Sequence, residues 1–88
     1  MAEWQMDTNI TIKLDPSRDD ANREGVHCNV YKRGNGRVGR LLVDKYGNVS
    51  WSSIPDGNIN HRQMNLIEDF VRRNSSDIIS AYNRIRIG

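Results

Sequence analysis

The chain has 88 residues, 13 Lys and Arg against 11 Asp and Glu, and 36% hydrophobic residues. A chain this short buries only roughly 60–65% of the surface its unfolded form exposes, so it makes one domain. It carries no apolar run of about 18 residues for a membrane span, and a single cysteine rules out an internal disulfide framework. Met1-Ala2-Glu3-Trp4-Gln5 lacks the basic and apolar regions of a secretory signal. The expectation is a soluble cytoplasmic domain.

Residues 1–9 read as a loosely held, flexible terminus, with Trp4 able to pin it to the body, and residues 10–88 read as the single domain. Ile10-Thr11-Ile12-Lys13-Leu14 alternates apolar and polar, the period of a half-buried strand. Asp15-Pro16-Ser17-Arg18-Asp19-Asp20 reads as a turn, and the polar stretch to Gly25 as an exposed loop. Val26 to Arg33 is a second predicted strand. Gly34-Asn35-Gly36 offers the positive φ that a hairpin turn needs. Arg37 to Asp44 is a third strand and Lys45-Tyr46-Gly47-Asn48 a tight turn. Val49 to Ser53 is a fourth strand, halted before Pro55.

The period then changes. Met64, Ile67, Phe70 and Val71 share one helical face. Asn60 or Asn58 supplies the N-cap, and Gln63 three residues after Asn60 suits a capping box. Arg72 and Arg73 sit where cations complement the helix dipole. Asn74-Ser75-Ser76 interrupts the run before a second helix with Ile78, Ile79, Tyr82 and Ile85; one bent helix over 60–86 is the alternative.

Together these elements predict an α+β fold: an antiparallel meander of three to four strands covered on one face by two C-terminal helices. The expected core is Val30, Leu41, Val43, Val49, Trp51, Met64, Ile67, Phe70, Val71, Ile79 and Tyr82. Alternation places Cys28, Val30 and Lys32 on one side, and His27, Asn29, Tyr31 and Arg33 on the other. In the next strand Leu41 and Val43 oppose Val38, Arg40, Leu42 and Asp44.

No complete catalytic set emerges. Gly34 to Gly39 matches the letters of a dinucleotide fingerprint, but a strand follows it instead of a helix. His27 and Cys28 are strand neighbours pointing apart, which disfavours a nucleophile–base pair. Cys28 reads as a small buried hydrophobe. His27 and His61 make a poor start for a zinc site of three or four ligands, so no metal and no cofactor are expected. A ribonuclease-type reading would use His27, Tyr31 and Arg33 for acid–base work beside a phosphate. Lys32, Arg33, Arg37 and Arg40, gathered around one hairpin, are the candidate nucleic-acid or partner-binding residues. Charge is uneven: residues 1–25 balance at −3 and residues 26–88 at +5, which permits an anionic partner.

The order of features resembles a family of small bacterial proteins of unknown function with a His-Val-His-Val signature in one strand. The residues that carry the likeness are His27-Cys28-Asn29-Val30, Gly39 to Asp44, Leu66 to Val71 and Ile78 to Tyr82-Asn83, within about residues 25–86. Cys28 and Asn29 stand where the family has Val and its second His. Members are often encoded beside another small protein in toxin–antitoxin-like pairs, so the resemblance implies a protein partner more than a substrate. The leading expectation is a non-enzymatic binding or regulatory module with a protein partner. The alternatives are a nucleic-acid binder or ribonuclease toxin on the basic sheet face, and a homodimer formed through Ile10–Leu14 as an open sheet edge.

Overall fold

The structure, a computed structural model, describes residues 2–14, 25–53 and 57–87, with side chains through residue 84. The order is β1 (Glu3–Gln5), β2 (Ile10–Leu14), β3 (Val26–Lys32), β4 (Gly36–Val43), β5 (Val49–Ser53), α1 (His61–Arg73) and α2 (Ser75–Ile87). The five strands form one antiparallel sheet in the order β1-β2-β3-β4-β5. The fold is therefore α+β, as the alternating and helical periods predict. The expected turn over 15–20, the loop to Gly25 and the stop at Pro55 lie largely outside the described residues.

The strand count is five, not three to four. The added strand is Glu3–Gln5, inside the stretch read as a loose terminus. Its cause is local. The Asp7 Oδ1 accepts from the backbone N–H of Asn9 at 2.7 Å and of Ile10 at 2.8 Å, a side-chain-closed turn that folds the chain back. Trp4 then pairs with Ile12 and packs half-buried against the core. This strand also takes β2 off the sheet edge, so the expected edge pairing through Ile10–Leu14 is overturned: β2 lies between β1 and β3.

Register explains the core. Leu14 pairs with Cys28 and Cys28 with Leu41; Ile12 pairs with Val30; Leu41 pairs with Trp51 and Val43 with Val49. These apolar side chains line one face. With Ile67 and Val71 of α1, and Ile78, Ala81 and Tyr82 of α2, the strand residues form a single buried cluster. Of the expected core, Val49, Trp51, Met64, Phe70 and Ile79 are partly buried against that cluster, and the others are buried.

Val38 breaks the simple alternation. Alternation places it opposite Leu41, yet it is buried in the cluster. The ladder shifts between Val30 and Tyr31, which pair with Gly39 and Arg37, leaving Val38 as the extra residue of a β-bulge. A bulge puts an additional side chain on one face and increases the local twist.

The helix boundaries follow from capping. The Asn60 Oδ1 accepts from the Gln63 N–H at 2.8 Å, and the Gln63 side chain accepts from the Asn60 N–H at 3.1 Å, the expected capping box. Asn74 separates the two helices. Its N–H and side-chain amide both donate to the Phe70 carbonyl, satisfying orphan acceptors at the end of α1. Among the described residues no helix is long and apolar enough to cross a membrane.

Gly25 opens β3 at φ 125°, and a Cβ built there would meet the Val43 carbonyl oxygen at 2.1 Å. Gly25→Ala should therefore destabilise the domain by at least ~2 kcal/mol, since both a left-handed backbone and a backbone clash oppose it. Urea denaturation checks this. Ile67→Ala, at a fully buried position, should cost ~2–5 kcal/mol; Phe70→Ala, only partly buried, should cost less in the same assay.

Candidate functional site

The face of the sheet opposite the cluster carries most of the polar chemistry. Strand alternation puts Asn29 and Tyr31 of β3 there, joined by Lys13 and Thr11 of β2 and by Arg40 and Arg37 of β4. Glu3 and Gln5 of β1 complete it on one side. Two cross-strand rows result. In one, Glu3, Lys13, Asn29, Arg40 and Ser53 stand side by side; in the other, Gln5, Thr11, Tyr31 and Arg37 do.

These side chains engage one another. The Arg40 Nε donates to Asn29 Oδ1 at 3.1 Å. The Lys13 ammonium lies 3.9 Å from the Glu3 carboxylate and 4.8 Å from the centre of the Tyr31 ring. The Thr11 hydroxyl donates to Gln5 Oε1 at 2.9 Å. The Glu3–Lys13 pair is solvent-exposed and contributes little stability by itself. Its effect is to orient the lysine. The ammonium over Tyr31 is a cation–π contact that occupies part of the ring face.

The four cations gathered in sequence around one hairpin do not form one patch. Arg37 and Arg40 share the polar face. Arg33 is exposed in the turn after β3, its N–H donating to the Asn9 carbonyl at 2.8 Å. Lys32 has the parity of Val30 and lies on the cluster side, where its ammonium donates to the Asn58 carbonyl. Lys32 thus stands on the other side of the sheet from Arg37 and Arg40. Lys13, which the sequence reading did not single out, shares the polar face with the two arginines; the alternation of Ile10–Leu14 is the signal that exposes it.

His27 pairs with Leu42 and is only 5% exposed. Tyr31 is four residues further along the strand, roughly 13 Å away, and Arg33 lies beyond the strand end. General acid–base work on one phosphodiester needs its groups within hydrogen-bond reach, and the strand holds His27 and Tyr31 apart. Cys28 is buried in the cluster, on the opposite face from His27. Among the described residues no group of three or more His, Cys, Asp or Glu is placed to hold a metal ion. Gly34 and Gly36 adopt positive φ in the β3–β4 turn, the hairpin reading of those glycines.

At the far end of the sheet, a cleft of about 200 Å³ opens between Gly25, Val26 and Val43 on the strands and Ile79, Tyr82 and Asn83 on α2, with Lys45 beside it. The neighbouring β4–β5 turn presents Tyr46, 78% exposed, with the Lys45 ammonium 5.2 Å from its ring centre. Asp44 builds that turn. Its Oδ1 accepts from the N–H groups of Tyr46 at 2.8 Å and Asn48 at 2.9 Å, and its Oδ2 accepts from the Asn48 side-chain amide at 3.0 Å. Gly47 supplies the positive φ. The Asn48 backbone N–H, foremost among these donors, holds the Asp44 carboxyl below its ordinary value.

No known protein family, curated protein or solved structure matches this chain.

The Asp44 shift fixes the sign of a pH dependence. A carboxyl whose folded value is depressed adds stability above its unfolded value, and loses it as pH falls through the folded one. Asp44→Asn should therefore lower the melting temperature at neutral pH. The gap to the parent should narrow as pH drops below about 4, the ordinary carboxyl value. Thermal melts of both proteins across that range check it.

Proposed function

We propose that this chain is a small cytoplasmic binding or regulatory module, without chemistry of its own, that acts on a protein partner through the polar face of its sheet. In this reading the helix pair covers the apolar face and leaves the other for contact. One observation carries it: Lys13 and Arg40 of that face are held by cross-strand contacts to Glu3, Tyr31 and Asn29, giving a mixed-charge surface. Such surfaces complement a partner's charges and fix its orientation.

A nucleic-acid reading has one observation in its favour, the shared face of Arg37, Arg40 and Lys13. Single-strand recognition also wants aromatic faces on which bases stack, and the Lys13 ammonium already lies over Tyr31.

The test is affinity purification of the tagged chain from its native cells after nuclease treatment. A stoichiometric protein partner is expected, and Lys13→Glu with Arg37→Glu should release it while leaving the circular-dichroism spectrum unchanged. Retention of that partner by the double variant would reject the polar face as the contact. The nucleic-acid reading instead expects RNA or DNA retention that falls steeply with salt; unchanged retention at low salt after Arg37→Ala with Arg40→Ala sinks it.

A further inference from the structure

The two edges of the sheet differ. β1 is three residues long and carries Glu3, and short charged edges resist pairing. β5, Val49-Ser50-Trp51-Ser52-Ser53, is longer and has neither charge nor proline. Among the described residues no strand lies on its outer side.

The ladder defines which groups that edge presents. The Asp44 N–H donates to the Asn48 carbonyl, so Asp44 and Asn48 face each other with main-chain groups turned inward. Antiparallel pairs alternate. Leu42–Ser50 therefore turns inward as well, while Val43–Val49 and Leu41–Trp51 turn their N–H and C=O groups away from each other. The outward groups on β5 are those of Val49 and Trp51.

We propose that β5 pairs with β5 of a second copy of this chain about a two-fold axis through Ser50. In that register Val49 faces Trp51 of the other copy, Ser50 faces Ser50, and Trp51 faces Val49. Each outward N–H and C=O of Val49 and Trp51 finds its complement. The same arrangement sets the indole of Trp51 beside the partner's β-branched Val49 on the apolar face; both are only partly buried in the single chain. Aromatic and β-branched cross-strand pairs are favourable. On the opposite face two exposed serines meet at the axis with no charge between them. The strand is thus complementary to itself in one register, which selects a second copy over an arbitrary extended peptide. A two-fold contact of this kind closes after two chains.

Sedimentation equilibrium of the purified chain over a concentration series tests this. The expected result is a mass that rises toward twice that of the single chain. Ser50→Lys sets two ammonium groups face to face at the axis while altering only an exposed position; it should weaken the dimer by about tenfold or more. Ser50→Cys provides a second readout. Cα atoms of a non-hydrogen-bonded antiparallel pair lie about 4.5 Å apart, within disulfide range. Mild oxidation should cross-link Ser50→Cys and leave Ser53→Cys monomeric, and the native Cys28 is buried. A mass that stays monomeric throughout overturns the proposal. So does a dimer that Ser50→Lys leaves intact, or one in which Ser53→Cys cross-links as readily as Ser50→Cys.

Discussion

Strand register is the constraint on which this molecule rests. Ile12 stands beside Val30, Leu14 beside Cys28, and Cys28 beside Leu41, so one continuous apolar surface runs across strands that are separately too short to hold together. The side-chain period of a strand is two, and a slip of one residue would turn that surface to water and bring Lys13, Asn29 and Arg40 inward. The penalty for that error is what gives the sheet a single arrangement. Helical residues Ile67, Val71 and Ile78 complete the buried cluster, and no strand pair needs to be stable alone.

The same register creates the polar face. Lys13, Asn29 and Arg40 form a row because their apolar neighbours form one on the reverse side. Polar face and core are therefore two consequences of one pairing pattern. Two of the turns that set the pattern, β1–β2 and β4–β5, use a common device. Asp7 and Asp44 each accept backbone N–H bonds from the residues that follow, which fixes where the chain reverses and so which residues pair.

Local signals carried much of this into the sequence. Ile10–Leu14, the Gly34 and Gly47 turns, and the Asn60–Gln63 capping box all depend on residues within a few positions of each other, and they were legible. Glu3–Gln5 was not: three residues with one aromatic show no period, and the Asp7 turn that returns them acts through a side chain. The burial of Val38 depends on a bulge against β3, which no intrastrand pattern announces. At the candidate site, the shared face of Arg37 and Arg40 with Asn29 and Tyr31 follows from pairing, whereas proximity in sequence misled for Lys32, whose parity assigns it to the other side. The burial of His27 is equally non-local. Alternation gives only its face, and that face is polar around Asn29 yet closed at His27.

The order of the strands in space repeats their order along the chain, so every ladder joins neighbours and none waits for a distant segment. Such topologies involve short loop closures and favour rapid assembly. On the ribosome, hairpins can add one after another as they emerge, while the helical residues of the cluster arrive last. Until then the nascent ribbon presents Ile12, Val30 and Leu41 bare, a window in which a chaperone or a neighbouring nascent chain meets an unfinished, sticky surface.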